Sequence, residues 1–274
     1  MLSALSLGAT LYMPATRPDL WQVVNGEKYP ELRSLVICLE DAVSEHEVEA
    51  AKVNLRQLLR QVQDQPRQAQ HPKIFIRPRH IAMAEELAQW PELIMADGMV
   101  LPKFCLNQLR QWQQILPDFI QVMPTLEDAE TFDMGAMREL RQALQQDFRQ
   151  VLVLRIGGND LLNCLAVRRP SDLTLYQTPI GALIANLAGQ FLPYGFALSA
   201  PVCEHFTQVK LLQDELYLDL QHGLSGKTII HPAQIAIVHQ AYQVNDIELK
   251  QAQDILRDSG EAVFACHGSM LEPA

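Results

Sequence analysis

The chain's order of elements predicts a (β/α)8 barrel. Three observations carry the expectation: eight short, apolar, β-prone runs, a helix-like segment after each, and strand compositions too continuously apolar for a sheet with a wet face. The runs lie at 8–13, 33–39, 73–77, 97–101, 119–123, 151–156, 196–199 and 226–230. VLVLRI (151–156) and SLVICL (34–39) suit a sheet buried on both faces. Strict strand–helix alternation argues for parallel pairing, and eight units within 274 residues close a TIM barrel.

The helices have local causes. After the second strand, Ser44 and Glu47 fit a capping box, and Val48, Ala51, Leu55, Leu58 and Val62 recur at helical spacing, so that face should dock on the barrel. An additional C-terminal helix is expected to open at Asn245 with Glu248 three residues on, carry Ile247, Ile255 and Leu256, and stop near Gly260. Residues 261–274, EAVFACHGSMLEPA, lack clear periodicity and read as a tail or an arm packing on a neighbouring subunit. The polar stretch QVQDQPRQAQHP (61–72) is short enough for a helix end and loop, so residues 1–274 are expected to form a single barrel domain, with 245–274 as its helix and tail.

Composition narrows function. Lys and Arg total 22 against 32 Asp and Glu, a formal charge of −10, which argues against an extended nucleic-acid footprint. The five cysteines, at 38, 105, 164, 203 and 266, have no CxxC-type spacing and read neither as a disulfide framework nor as a zinc site. A reducing, cytoplasmic setting is expected. No apolar stretch approaches the ~20 residues needed to span a bilayer, and the N-terminus lacks a basic leader region, so no membrane partner is expected.

Barrel enzymes place their chemistry at the C-terminal ends of the strands. There the sequence sets Glu40-Asp41 after strand two, Arg77-Pro78-Arg79 at strand three, Pro102-Lys103 after strand four, Glu127-Asp128 after strand five and Gly157-Gly158-Asn159-Asp160 after strand six. Glu127 and Asp160 come from adjacent units and offer two hard oxygen ligands, which suit Mg²⁺; each acid by itself could equally serve a helix N-terminus. Gly157 and Gly158 let the backbone turn tightly and approach a ligand, as paired glycines also do in a plain turn. Arg77 ends an apolar strand, where a guanidinium is costly unless it faces an anion: a substrate carboxylate or enolate, or the neighbouring Glu40 or Asp41. Arg79 reads as solvated. His231, at the end of strand eight, and His205, after strand seven, are candidate proton donors, although a lone histidine more often hydrogen-bonds structurally.

These strand ends resemble the citrate lyase β-subunit branch of the HpcH/HpaI aldolase family along nearly the whole chain. LYMPATRP (11–18), CLEDAV (38–43), FIRPR (75–79), MVLPK (99–103), PTLED (124–128) and GKTIIHPAQI (226–235) occur in the family's order. LRIGGNDLL together with LEDAV is most similar to the lyase-like proteins found beside tellurium-resistance genes. The resemblance implies a carbon–carbon lyase with Mg²⁺ on Glu127 and Asp160, an active-site arginine at Arg77, and Glu40 and Asp41 beside the metal shell. It also implies Arg17 near an anionic carrier such as a coenzyme A or carrier-protein thioester, and assembly as a homotrimer or higher homo-oligomer. Lys103 and Gly158, at the mouth, complete the expected substrate-binding set with Arg17 and Arg77.

Three positions depart from the family pattern: Val48 where lysine is common, Arg77-Pro78-Arg79 where an RVN triplet is common, and Val202-Cys203 where an aspartate is common. The first bears on thioester-carrier binding and the last on citryl or malyl thioester chemistry, with Glu204 the nearest carboxylate in sequence. The expected reaction is aldol- or Claisen-type cleavage, or the reverse condensation, of a 3-hydroxy acid or its acyl thioester. Two other readings stand beside it: a barrel that binds a metabolite or regulates without turnover, and a phosphate-binding enolate enzyme, for which Lys227 is the one obvious cation after strand eight.

Overall fold

A computed structural model describes residues 2–65, 67–148, 150–256, 264–266 and 269–271. All eight expected strands form: β1 (Ala9–Pro14), β2 (Ser34–Cys38), β3 (Lys73–Arg77), β4 (Gly98–Leu101), β5 (Gln121–Leu126), β6 (Leu154–Ile156), β7 (Leu198–Ser199) and β8 (Lys227–Ile229). They pair in parallel in the order β7-β6-β5-β4-β3-β2-β1-β8. The remaining seam is closed by a parallel bridge between Ala200 and Lys227. There the Ala200 N–H donates to the Gly226 carbonyl at 2.7 Å, and the Thr228 N–H donates to the Ala200 carbonyl at 3.2 Å.

Around the strands lie α1 (Leu20–Val24), α2 (Val48–Asp64), α3 (Ile81–Ala88), α4 (Leu109–Ile115), α5 (Met134–Asp147), α6 (Gly158–Cys164), α7 (Pro179–Phe191), α8 (Val209–Gln221) and α9 (Gln234–Ala241). Two helices follow β6, and the short α6 brings its first turn to the barrel mouth. On α2, Val48, Ala51, Leu55, Leu58 and Val62 are all buried, as their spacing predicts. The expected capping box does not form. The Ser44 hydroxyl donates to the Glu47 carboxylate instead of accepting from a backbone N–H, and a 3-10 turn at Glu45–Glu47 precedes the helix.

Alternation along the strands divides the barrel interior into layers. In the lower layer Val36, Phe75, Val100 and Met123 pack with Leu152 and Val153, and Leu7 joins them from the N-terminal segment. Phe75 fills the space over Gly98, where a Cβ would meet its ring at 2.7 Å. Two residues further along β2 and β3 the inward positions turn polar: Cys38 stands in register with Arg77, and Thr125 of β5 stands in register with Arg155 of β6.

Lys227 is fully buried and points away from that polar layer. Its Nζ pairs with Asp219 at 2.9 Å and Glu215 at 3.3 Å, both on α8. Glu215 also accepts from Arg169 and from the Leu175 N–H, while Asp219 accepts from the Tyr176 hydroxyl at 2.6 Å. This network ties α8 to β8 and to the α6–α7 connection, and it removes the cation on which a phosphate site after strand eight would depend.

Residues 1–241 make one compact unit, and residues 242–274 make a second. The second contains α10 (Asp246–Leu256) and an antiparallel pair, β9 (Phe264–Cys266) and β10 (Ser269–Leu271). The expected cap of α10 forms: Asn245 Oδ1 accepts from the Glu248 N–H at 2.9 Å, and Glu248 Oε2 accepts from the Asn245 N–H at 3.3 Å. The expected stop at Gly260 lies outside the described residues. Part of the segment read as an unpatterned tail is thus a short hairpin. Among the described residues no helix is long and apolar enough to cross a membrane, and Cys38, Cys105, Cys164 and Cys203 are free thiols.

Candidate active site

Ile74, Phe75 and Ile76 precede Arg77 on β3 and are fully buried, so the guanidinium is delivered into the barrel rather than to solvent. It is buried among carboxylates. Nη2 lies 3.1 Å from Glu127 Oε1 and 3.3 Å from Oε2, contacts Glu40 as a close ion pair, and stands 3.7 Å from Asp41. Burial works against the Arg77 charge, but Glu127, Tyr12 and Glu40 outweigh it and hold the group firmly protonated. Of the alternatives open in the sequence, the ion pair with Glu40 forms, and Arg77 also lines the mouth cavity.

Glu127 follows β5 directly and is 3% exposed. Its Oε1 accepts the Lys103 N–H at 2.8 Å. Lys103 achieves this with φ +46°, a left-handed backbone that costs a side-chain-bearing residue roughly 1–2 kcal/mol. Its backbone thus serves Glu127 directly, while its side chain is exposed. Gly157 supplies the other wall. A Cβ there would sit 2.4 Å from Glu127 Cβ and 2.6 Å from Oε2, so only glycine lets β6 end against this carboxylate. Gly158 is equally confined, by Leu175 and Pro201.

Asp160, in the first turn of α6, lines the same cavity as Glu127, and the two carboxyls interact electrostatically. Burial pushes the Glu127 carboxyl up to about 7, with Asp160 and Asp41 adding to the rise against the pull of Arg77 and the Lys103 N–H. Glu40 is likewise pushed up to about 7, first by burial and then by Asp41 and Glu127, with Arg77 opposing. Asp160 is raised for the same reasons, burial first and Asp41 next. Two hard oxygen donors at one cavity wall, both raised first by burial and then by neighbouring carboxylates, match the ligand chemistry of Mg²⁺.

These groups surround a cavity of ≈ 320 Å³ that Asp41, Arg77, Glu127, Gly158 and Asp160 line. A second cleft of ≈ 720 Å³ shares Asn159 with it and is lined further by Arg168, Arg169, Glu204 and His205. Glu204 faces that cleft and pairs with Arg169 at 3.0 Å, so no carboxylate from the β7 end reaches the smaller cavity. Among the described residues Cys105, Asp128 and Glu130 also converge closely enough for one cation, but none of them lines either space.

Other sequence candidates lie elsewhere. Arg17 is exposed and doubly hydrogen-bonded to Asp19, at 2.7 Å for each contact. Arg79 is tied down, to the Val43 carbonyl at 2.5 Å and to Glu45 at 3.2 Å, rather than solvated. His231 stacks on Phe206 and accepts the Ala233 N–H at 3.2 Å, a turn-stabilising role. Val48 is buried on the apolar face of α2.

A family model for C–C bond lyases of the TIM-barrel fold matches residues 1–274. The chain belongs to this carbon–carbon lyase family. No curated protein sequence matches it. CitE from Mycobacterium tuberculosis, in complex with magnesium, acetoacetate and coenzyme A, superposes with a TM-score of 0.71 at 22% identity, covering 98% of this chain and 94% of that one. RipC from Yersinia pestis gives 0.67 at 19% identity, covering 90% of this chain and 100% of its own. A citrate lyase β subunit complexed with oxaloacetate and magnesium, also from M. tuberculosis, gives 0.66 at 20%, covering 89% and 100%. At these identities the superpositions establish the shared barrel, in agreement with the citrate lyase-like resemblance of the strand-end motifs.

Within this lyase-family barrel, sequence reasoning passed over four residues that line the cavity: Tyr12, Thr125, Arg155 and Thr228. The two-residue period identifies them only once the strand registers are known. Counting in steps of two from Arg77's inward phase on each strand selects Tyr12 on β1, Thr125 on β5, Arg155 on β6 and Thr228 on β8.

Proposed function

We propose that this lyase is Mg²⁺-dependent and cleaves or forms the carbon–carbon bond of a 3-hydroxy acid or its acyl thioester. One observation carries the reading: the buried carboxyl of Glu127 and the half-buried carboxyl of Asp160 line one cavity at the mouth beside the buried cation Arg77. Glu127 and Asp160 would hold the metal, whose chemistry is to polarise the oxygens of a 2-oxo acid unit.

The chain's own groups divide the remaining work. In cleavage, the substrate's C3 hydroxyl loses its proton, the oxygen's electron pair closes a carbonyl as the adjacent C–C bond breaks, and the pair left on the departing carbon is held as an enolate until it is protonated. Arg77 lies where the developing oxyanion needs a fixed positive charge. Asp41 lines the cavity and takes the hydroxyl proton, directly or through one water. Glu40 sits behind Arg77 and acts as a positioning residue for the guanidinium.

The test is to incubate purified protein and Mg²⁺ with a panel of 3-hydroxy acids and their thioesters and to follow 2-oxo acid release, beside Glu127→Ala and Asp160→Ala. Turnover that needs the metal and both carboxylates is expected. Binding without turnover would move the assignment to a metabolite-binding barrel.

A further inference from the structure

Arg155 is 1% exposed, yet it makes no ion pair among the described residues. Its Nη2 donates to Thr228 Oγ1 at 2.5 Å, its Nη1 reaches the Met123 sulfur at 3.5 Å, the neutral Tyr12 side chain is a further hydrogen-bonding neighbour, and its Nε has no partner. The guanidinium lies 5.3 Å from the centroid of the Tyr12 ring. Directly across the β5–β6 register stands Thr125, 4% exposed, whose Oγ1 is also without a partner. Both residues line the mouth cavity. A buried charge normally carries its counter-ion, because the isolated charge is expensive and arginine does not shed its proton. Here the cation, an idle N–H and an idle hydroxyl stand together at one cavity wall, while Glu40, Asp41 and Glu127 pair with Arg77.

We propose that Arg155 and Thr125 form an anion subsite that receives a second carboxylate of the substrate and so selects dicarboxylic over monocarboxylic acids. This rests on the reading of the cavity as the substrate site and adds to it a substrate class and two specificity residues. The first carboxylate belongs at the Arg77 and Glu127–Asp160 end of the cavity; the second, at the Arg155 wall, accepts the Nε–H and the threonine O–H. A charge-assisted pair of this kind contributes about 1.5–3 kcal/mol, or roughly 10- to 100-fold in affinity.

Malate and lactate, which differ by a single terminal carboxylate, are the probes, titrated calorimetrically into Mg²⁺-saturated protein. Wild type is expected to bind malate about tenfold or more tighter than lactate. Arg155→Met should bring malate down to the lactate value while leaving lactate and Mg²⁺ affinities unchanged, and should melt no lower than wild type, because a charge without a counter-ion has been removed. In a metal-free arm with chelator, inorganic phosphate should raise the melting temperature of wild type and leave that of Arg155→Met unmoved. Should Arg155→Met not fold, Arg155→Lys and Thr125→Val are read by the same titrations, each with a reduced malate preference. An equal malate-to-lactate ratio in wild type and variants, or an equal phosphate response, overturns the subsite. Loss of Mg²⁺ binding with the phosphate response intact would instead strike the metal reading alone.

Discussion

Arg77 and Glu127, fifty residues apart in the chain, meet with Nη2 3.1 Å from Oε1 inside the barrel mouth. The pair does not leave the carboxylate with an ordinary acidity. Burial outweighs the guanidinium and the Lys103 N–H and keeps Glu127 near 7. A group in that state is poised to exchange a proton for a cation, and pH is the first lever.

Glu127 and Glu40 both titrate near 7, above the ordinary glutamate value of 4.5. In the intermediate range the folded protein holds protons that the unfolded chain has released, so these groups contribute stability that is full below about pH 4.5 and lost as pH rises through about 7. Thermal melts of metal-free protein should therefore fall from about pH 5 to pH 8, and saturating Mg²⁺ should flatten the fall. Mg²⁺ affinity should rise over the same interval with proton release, readable as a buffer-dependent heat.

Asp41 raises all three neighbouring acids, Glu40, Glu127 and Asp160. Removing that like charge in Asp41→Asn lowers their pKa values, so the midpoint of Mg²⁺ binding should move to lower pH. Turnover should nevertheless drop by about 10²- to 10⁴-fold, the usual cost of a lost proton-transfer group. A variant that keeps wild-type turnover would assign the proton to another residue.

Gly157→Ala places a methyl group 2.4 Å from Glu127 Cβ. The displaced carboxylate should lose the Lys103 N–H, stability should fall by about 1–3 kcal/mol from overpacking, and Mg²⁺ affinity should weaken more than in Gly189→Ala, where a Cβ meets nothing within 4 Å.

The Lys227 network is expected to hold the closing seam of the barrel. Lys227→Met leaves Asp219 and Glu215 buried without their shared cation, which costs about 3–5 kcal/mol. Chemical denaturation should register that loss, while Mg²⁺ binding by the folded fraction remains at the wild-type value.

Much of the barrel could be read from the chain because its strands are buried on both faces and announce themselves as apolar runs. The converging acids were legible as well, since Glu127 and Asp160 follow two of those runs directly. What escaped were side chains whose role depends on partners far along the chain. Arg155 ends an apolar run and shows its meaning only when Thr125 and Thr228 stand beside it. Lys227 looks like a cation at a strand end until α8 brings Glu215 and Asp219 to it from the outer layer. Ser44 satisfies the pattern of a cap, but its hydroxyl has a competing acceptor in Glu47, and sequence spacing does not decide that competition.

The most direct measurement is a calorimetric Mg²⁺ titration at about pH 8 of wild type, Glu127→Gln and Asp160→Asn, two substitutions that keep shape and remove charge. One Mg²⁺ per chain is expected in the wild type, with binding lost or weakened by about tenfold or more in each variant. Undiminished binding in both variants would contradict the assignment of the barrel mouth as the metal site.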